Sequence, residues 1–230
     1  WAQVYRLRLS SNIQSFMPSK KKPIAPVIDH AIDSPSDPRA RLFAVCVFCG
    51  SRLGHDPDWS AMGHETGQAI AQRQWRLVYG AGRWGLMGAV AKAALDEGAH
   101  VTGIIPDYLT KIEPVLPGLD RLEIVQTMIE RKVRMMELSD AFLVLPGGIG
   151  TLEELFEVWT GLQTHAHEKP LVLANLKGYY DPLLNFINKA THEGFLTPSQ
   201  KSRLLVTSSI HEALQGLEPF AFGITGAAER

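Results

Sequence analysis

From Arg41 onward, the chain alternates short apolar runs with longer stretches of helical character, and this alternation restricts the fold more than any other feature. The apolar runs read LFAVCVF, RLVY, HVTGII, LEIV, AFLVL, PLVLAN and RLLVT. The stretches between them include WSAMGHETGQAIAQR, LMGAVAKAALDEG, MIERKVRMMELS, TLEELFEVWTGLQ and DPLLNFINKATHEG. Strands that are apolar throughout and separated by helices are typical of a parallel sheet with both faces covered.

The pattern therefore predicts an α/β fold, a single doubly wound domain over residues 41–217. We expect about seven parallel strands, helices on both faces and right-handed crossover connections. The remaining residues, 218–230, are predicted to form a C-terminal tail. The composition agrees with a single core, because 45% of the 230 residues are hydrophobic and 20% are charged.

Charge and hydropathy exclude several classes of partner. The net charge of -1 provides no general attraction to nucleic acid or to an anionic membrane. No apolar run approaches the roughly 18 residues that a membrane-spanning helix needs. We therefore expect neither nucleic acid nor membrane as a partner.

The two cysteines, Cys46 and Cys49, form a C-x-x-C pattern inside a predicted strand. Redox motifs of this spacing lie at a helix N-terminus, where the helix dipole lowers the thiol pKa. In a strand, residues three apart point to opposite faces and lie roughly 10 Å apart, too far for a disulfide. The pattern therefore predicts two reduced structural thiols, which suits a cytoplasmic protein.

The first 40 residues differ in composition from the rest. Residues 1–28 contain five basic residues and no acidic one, and prolines follow at positions 23, 26, 35 and 38. We predict a flexible arm over residues 1–40, with Met17 as the natural first residue and residues 1–16 outside the natural chain. A basic, acid-poor transit peptide is the alternative, whereas a secretory signal would need an apolar segment that this stretch lacks.

Ligands of doubly wound sheets bind beyond the carboxyl ends of the strands, so the loops there are the candidate sites. The first such loop, CGSR, offers the amide of Gly50 and the hydroxyl of Ser51 to a phosphate, although a simple turn explains it equally well. The second loop, YGAGRWGLMG, matches the dinucleotide pattern G-x-G-x-x-G at Gly80, Gly82 and Gly85. A dehydrogenase is not favoured, because no suitable acidic residue follows the next strand.

The third loop, LPGGIGTLEEL, places Gly147, Gly148 and Gly150 between a strand and a helix that we predict to begin at Thr151. Backbone amides at such a turn bind anions, and the helix dipole favours phosphate. The lysine of a nucleoside triphosphate loop is absent. Three loops at one edge of the sheet thus indicate a small phosphorylated ligand.

Thr151 and Glu154 also fit a capping box, in which the two side chains satisfy the amides of the first helical turn. That interpretation explains both residues without any catalytic role, and the sequence leaves it open. Upstream, Arg131 and Lys132 open the predicted helix MIERKVRMMELS, where the helix dipole disfavours a cation. Although a solvated basic face is the ordinary interpretation, we favour a pair that clamps phosphate and substrate.

Other catalytic motifs are not supported. His165, His167 and Glu168 lack a further ligand at suitable spacing, so no metal site is expected. No G-x-S-x-G motif of a serine hydrolase is present in the sequence.

The combination of MIERK with SDAFLVLPGGIGTLEELFEV resembles the LONELY GUY family, the cytokinin riboside 5'-monophosphate phosphoribohydrolases. The family hallmark P-G-G-x-G-T-x-x-E is filled here by Pro146, Gly147, Gly148, Gly150, Thr151 and Glu154. The resemblance extends over about residues 42–217 and includes FCGSR, VYGAGRWGLMG and KPLVLANLKGYYDPLL. The long motif is highly specific, whereas the flanking glycine loops are not.

The resemblance implies a Rossmann-like fold, a homodimer with the active site near the subunit interface, and a reaction without a cofactor. That reaction is hydrolysis of the N-glycosidic bond of an adenosine-type 5'-monophosphate to the free base and ribose 5-phosphate. It implies Arg131 and Glu154 as the catalytic pair. The residues implied to bind phosphate or substrate are Ser51, Gly82, Glu113, Met128, Lys132, Gly147, Gly148, Gly150, Thr151 and Thr160.

The chain departs from the family pattern at two positions. Ile129 replaces a frequent histidine, and Arg52 stands where a second serine is frequent. Both departures concern the preference for the base more than the reaction. Some relatives are described as lysine decarboxylases, which this sequence does not support. A non-catalytic nucleotide or cofactor carrier is the alternative function, and the presence of both Arg131 and Glu154 favours the enzyme.

Overall fold

The computed structural model describes residues 38–222, and its ordered elements follow the predicted alternation. The strands are β1 (Ala44–Phe48), β2 (Arg76–Tyr79), β3 (Val101–Pro106), β4 (Arg121–Val125), β5 (Ala141–Val144), β6 (Leu171–Ala174) and β7 (Leu204–Thr207). The helices are α1 (Asp58–Gln72), α2 (Gly85–Asp96), α3 (Met128–Glu137), α4 (Ile149–Gln163), α5 (Asp181–His192), α6 (Pro198–Ser202), α7 (Ile210–Gln215) and α8 (Glu218–Ala221). Short 3-10 helices cover Pro38–Arg41, Asp107–Lys111 and Leu176–Gly178.

All seven strands pair in parallel, in the order β4-β3-β2-β1-β5-β6-β7. The prediction of a doubly wound Rossmann-like sheet is therefore confirmed. The chain adds strands on one side of β1 as far as β4 and then crosses to the other side with β5. Strand order thus reverses between β1 and β5, which is where such folds bind their ligands.

Two apolar cores lie on opposite faces of the sheet. One packs α1, α2 and α7 against the sheet, and the other packs α3, α4 and α5 against it. Alternate strand residues face the two sides, so Cys49 belongs to the first core and Cys46 to the second. Both cysteines are buried and free, as the strand interpretation predicted.

The starts of α3 and α4 set the geometry of the site. Thr127 caps α3 by accepting a hydrogen bond from the Glu130 amide at 3.1 Å, and the helix therefore begins at Met128 as predicted. The predicted start of α4 at Thr151 is wrong, because the helix begins at Ile149 with Gly148 as its N-cap. The N-cap makes no side-chain hydrogen bond. Since Thr151 and Glu154 lie inside the helix, the capping-box interpretation is also wrong.

The structure has an ordered helix beyond residue 217, where the predicted domain ends. Helix α8 follows residue 217, and its Ala221 packs against the first core while Glu218 pairs with Arg73 at 3.1 Å. Packing thus continues beyond residue 217. The predicted arm lies outside the described residues except for positions 38–40, and the tail lies outside them after residue 222.

Candidate active site

The loops that follow β1 and β5 are joined at the point where strand order reverses. The amide of Gly50 donates to the carbonyl of Pro146 at 3.0 Å, and the amide of Leu145 donates to the carbonyl of Phe48 at 2.9 Å. A cavity of about 710 Å³ opens above these loops, a volume typical of small-molecule sites. Of the predicted site residues, it is lined by Ser51, Glu113, Met128, Arg131, Gly147, Gly148, Gly150, Thr151 and Glu154.

The glycines at the start of α4 face open space. A Cβ atom built on Gly148 or Gly150 would meet no atom within 4 Å, so packing does not require glycine at either position. The φ of Gly148 is -94°, which other residues also adopt. The amides of the first helical turn have no partner within the helix, and they point to where the dipole favours an anion. This turn therefore suits a phosphate that lies directly on the backbone.

Other residues of the protein pack closely against Gly147 and leave no space for a side chain there. A Cβ atom there would collide with the Thr151 side chain and lie only 2.9 Å from the Gly50 amide nitrogen. This close approach keeps the turn in contact with the loop after β1.

The glycines of the loop after β2 are enclosed by protein groups. A Cβ atom on Gly80 would collide with the Arg131 guanidinium, and one on Gly82 would lie 2.7 Å from Met87 and 2.5 Å from a Glu113 carboxylate oxygen. Gly85 has a φ of +67° and lies against the backbone of Ser51. The dinucleotide-like pattern is thus explained by close packing, and Gly82 does not line the cavity.

Arg131 lies in the first turn of α3 and is only 7% exposed. Its Nη2 donates to the Gly80 carbonyl at 2.9 Å, and its Nη1 lies 3.7 Å from the Met128 sulfur. These contacts fix a cation at the floor of the cavity. A guanidinium keeps its proton at neutral pH, so Arg131 acts by charge and position rather than as an acid.

Glu154 lies one turn inside α4 and points into the same cavity. Burial raises the pKa of its carboxyl group from 4.5 to about 7, and the positive charge of Arg131 opposes this rise only in part. Glu153 adds to the rise, Lys132 lowers the pKa, and Glu157 raises it slightly further. A carboxyl group with this pKa exchanges its proton near neutral pH, as acid-base and electrostatic catalysts do.

Arg131 and Glu154 face one cavity without closing into a contact pair. Within residues 38–222, no ion pair of 4.0 Å or less joins the guanidinium to this carboxylate. The two charges nevertheless influence each other, as the pKa of Glu154 shows. A fixed cation and a carboxylate thus line one cavity without an ion pair between them.

Two other predicted residues lie outside the cavity. Lys132 follows Arg131 by one position, about 100° around the helix, and pairs instead with Glu153 at 2.7 Å and Glu157 at 2.6 Å. Thr160 is exposed and lines a separate apolar groove between α3 and α4. The structure therefore does not bring either residue, or Gly82, to the cavity within one chain.

The cavity also contains residues that sequence reasoning missed. The missed lining side chains are mainly apolar, and they are Cys49, Arg52, Leu53, Trp59, Leu86, Met87, Leu109, Ile149 and Tyr179. They lie in loops and in helices, and in sequence their apolar side chains resemble ordinary core residues. Burial and the nearby Glu154 charge raise the pKa of the Cys49 thiol, so it remains protonated and is a poor nucleophile.

Within the described part of the chain, no cluster of three or more histidine, cysteine or acidic side chains is arranged to hold a metal ion. Across residues 38–222, no helix is both long and apolar enough to cross a lipid bilayer.

Residues 87–217 match the family model described as "Possible lysine decarboxylase". Decarboxylases that use pyridoxal phosphate hold it through a lysine amine. Among residues 38–222, no lysine lines the cavity, and Lys132 is engaged by two carboxylates outside it. The residues present therefore do not fit that cofactor.

Curated relatives match most of the chain. A cytokinin riboside 5'-monophosphate phosphoribohydrolase of Rhodococcoides fascians is 46% identical over 175 residues, which cover 76% of this chain and 88% of that protein. An enzyme of the same name from Arabidopsis thaliana is 41% identical over 183 residues, which cover 80% of this chain and 85% of that protein.

Solved structures share the fold at low identity. The molybdenum cofactor binding protein of Rippkaea orientalis aligns with a TM-score of 0.60 and 21% identity, covering 77% of this chain and 96% of that one. A Moco carrier protein of Chlamydomonas reinhardtii aligns with a TM-score of 0.59 and 17% identity, covering 80% of this chain and 99% of that one. These likenesses extend to the fold alone.

Proposed function

The chain belongs to the family of cytokinin riboside 5'-monophosphate phosphoribohydrolases, also called LONELY GUY, and from this premise we propose the reaction of its cavity. The protein is a hydrolase that cleaves the N-glycosidic bond of cytokinin riboside 5'-monophosphates, of AMP, or of both. The products are the free base and ribose 5-phosphate. One observation carries the assignment: an open anion-binding turn, a fixed guanidinium and a carboxylate of raised pKa line a single cavity.

Each part of the cavity has a role in this reaction. The amides from Gly148 to Thr151 hold the 5'-phosphate, and this binding places the ribose beside Glu154. Cleavage passes through a sugar cation, which a nearby carboxylate stabilises while it positions the attacking water. Arg131 contacts the substrate and provides a positive charge at a fixed position. Water supplies the hydroxyl that joins the sugar carbon and the proton that balances the departing base.

The apolar lining suits the base and its substituent. Leu53, Trp59, Leu109 and Met128 line the cavity together with the charged pair. An N6-prenyl group is apolar, and its transfer from water to such a surface is favourable. Of the two departures from the family pattern, Arg52 lines the cavity, whereas Ile129 is 71% exposed on α3.

Product analysis with AMP, N6-prenyl AMP and adenosine tests the proposal. We expect free base and ribose 5-phosphate from both nucleotides. Adenosine should be a far poorer substrate, because binding of the remote phosphate positions the sugar for reaction. Comparable turnover of adenosine and AMP would contradict the assigned role of the anion turn.

A carrier on the same fold is the weaker alternative. A carrier needs the anion turn but has no use for a carboxylate beside the sugar. The relatives above 40% identity bear the name of the hydrolase, whereas the carriers share only the fold. Binding of AMP without any turnover would favour the carrier.

The second part of the proposal is a homodimer through the α3–α4 surface. Val133 and Phe156, which border the apolar groove there, are each 40% exposed, and the neighbouring Ile129 is 71% exposed. Helix α2, by contrast, buries its apolar residues in the first core. A second copy that covers the groove would also place Thr160 at an interface, near which the family resemblance puts the active site.

Light scattering tests the dimer. We expect twice the 25.4 kDa chain mass for the wild type and a shift towards the monomer for Phe156→Asp. Phe186→Asp is the matched control, because Phe186 is 64% exposed on α5, away from the groove. A wild-type monomer at every concentration would refute this part of the proposal.

We further place the protein in the cytoplasm, where its two free, buried thiols remain reduced. Localisation of a fluorescent fusion to an oxidising compartment would contradict this placement.

A further inference from the structure

The loop after β6 ends in two consecutive tyrosines whose hydroxyl groups reach the anion turn. Tyr179 donates from its hydroxyl to the Gly147 carbonyl at 2.7 Å. Tyr180 donates to the Leu145 carbonyl at 2.8 Å. Asn175 holds this loop in place, because its side-chain oxygen accepts from the Tyr180 amide at 2.7 Å.

Together with the loop after β1, the tyrosines satisfy a run of three carbonyl groups. The Pro146 carbonyl accepts from the Gly50 amide at 3.0 Å, between the two carbonyls that the tyrosines hold. The next carbonyl, of Gly148, accepts from the Leu152 amide at 3.1 Å inside α4. Every carbonyl from Leu145 to Gly148 is thus held by the protein, and the amides at the start of α4 remain for an anion.

The hydrogen bond from Tyr179 holds the peptide group that rotates most easily in this run. That peptide joins Gly147 to Gly148, and two glycines permit rotations that other residues resist. If the peptide rotated, the Gly147 carbonyl would face the anion and the Gly148 amide would turn away from it. The hydroxyl of Tyr179 holds the carbonyl on the opposite side.

We propose that Tyr179 is a positioning residue that keeps the Gly147–Gly148 peptide in its phosphate-binding orientation; this rests on the proposed function. Its ring is held on two sides, by an edge contact with Trp59 at 5.8 Å and by one with Tyr180 at 4.9 Å. The loop that carries it is tied to the loop after β1, because Lys177 pairs with Asp56 at 2.6 Å and with Asp58 at 2.7 Å.

The test is Tyr179→Phe, which removes the hydroxyl and keeps both ring contacts. We expect the Kd for ribose 5-phosphate, measured by calorimetry, to rise about five-fold, the factor of one neutral hydrogen bond. KM for AMP should rise by a similar factor. The affinity for adenine should not change, because the base site is intact, and the melting temperature should fall by no more than the loss of one hydrogen bond causes.

Tyr108→Phe is the matched control, since Tyr108 is 48% exposed after β3 and does not line the cavity. It should leave both affinities and turnover at wild-type values. An unchanged Kd for ribose 5-phosphate in Tyr179→Phe overturns the proposal, as does an equal loss for adenine, which would indicate general distortion. If the wild type cleaves neither AMP nor N6-prenyl AMP, the proposed function falls, and the calorimetric comparison still decides the role of Tyr179.

Discussion

The two glycine-rich turns at this edge of the sheet are alike in sequence and differ in what lies opposite their glycines. In the turn from Gly80 to Gly85, protein groups occupy the space beside each motif glycine, and one of those groups is the Arg131 guanidinium. In the turn before α4, Gly148 and Gly150 face an open cavity. Glycine is required by the protein in the first turn and, in our account, by the ligand at Gly148 and Gly150 in the second.

The difference shows how the site obtains its two charges. The enclosed turn accepts a hydrogen bond from Arg131 and so fixes the cation. The open turn leads into α4, which presents Glu154 one turn later. A glycine pattern alone is therefore weak evidence for a nucleotide, because close packing and ligand contact both select glycine.

The largest effect is expected from Glu154→Gln, which tests whether the helix of the open turn carries the chemistry. The substitution keeps the size of the side chain and removes its negative charge. Loss of a catalytic carboxylate should reduce kcat roughly 100-fold or more, while AMP still binds. Because Glu154 is not a helix cap, no cap is lost, and the melting temperature should stay at or above the wild-type value. Retention of more than about a tenth of the wild-type rate would remove Glu154 from the mechanism.

The next largest effect is expected from a glycine-to-alanine substitution in the enclosed turn. In Gly80→Ala, the new methyl group would displace the guanidinium of Arg131 and break its bond to the Gly80 carbonyl. Overpacking of this kind typically costs about 1–3 kcal/mol of unfolding free energy. Both stability in urea and kcat for AMP should therefore fall.

Gly150→Ala, in the open turn, is the matched substitution and should separate stability from function. Ala in place of Gly favours a helix by up to about 1 kcal/mol, so the melting temperature should rise slightly. The methyl group would project towards the bound phosphate, and KM for AMP should rise about ten-fold, the equivalent of 1.4 kcal/mol. If Gly150→Ala leaves KM unchanged, or if Gly80→Ala is the better tolerated variant in both assays, the contrast between the turns is wrong.

The smallest effect is a pH dependence of kcat/KM and of stability, which arises from Glu154 in the helix that follows the open turn. The proposed reaction uses the ionised form of Glu154, so kcat/KM should rise with pH and reach about half its plateau near the carboxyl pKa of about 7. Because the pKa in the folded protein lies above its ordinary value of 4.5, ionisation costs stability. Relative to Glu154→Gln, the wild type should lose stability as pH rises from about 4.5 to about 7 and no more above it. Urea unfolding across this range, with equal stability differences at both ends, would contradict the raised pKa.

Much of the fold follows from local pattern. The run RLVY coincides with β2, and the remaining apolar runs match their strands to within two residues at either end. Such runs are predictable because a strand covered on both faces must be apolar at every position. The start of α4 was less predictable, because one glycine of the anion turn lies inside the helix. The helix begins at Ile149 and includes Gly150, despite the low helix propensity of glycine.

The site was predictable where a motif placed residues after strands, as for Arg131 and Glu154. Lys132 was misplaced because adjacent helix residues point about 100° apart, so a pair in sequence does not share a face. Tyr179 was missed because its role depends on a carbonyl 32 positions away in sequence, a contact that only the parallel order of β5 and β6 creates. Long-range hydrogen bonds of this kind leave no local pattern.

A crystal structure of Glu154→Gln with bound AMP compares the two turns directly. Our account predicts phosphate oxygens about 3 Å from the amide nitrogens of Gly148 and its helical neighbours, a normal hydrogen-bond distance. The ribose should then lie between Arg131 and residue 154. A phosphate bound instead at the Gly80–Gly85 turn, with the space before α4 empty, would contradict the account.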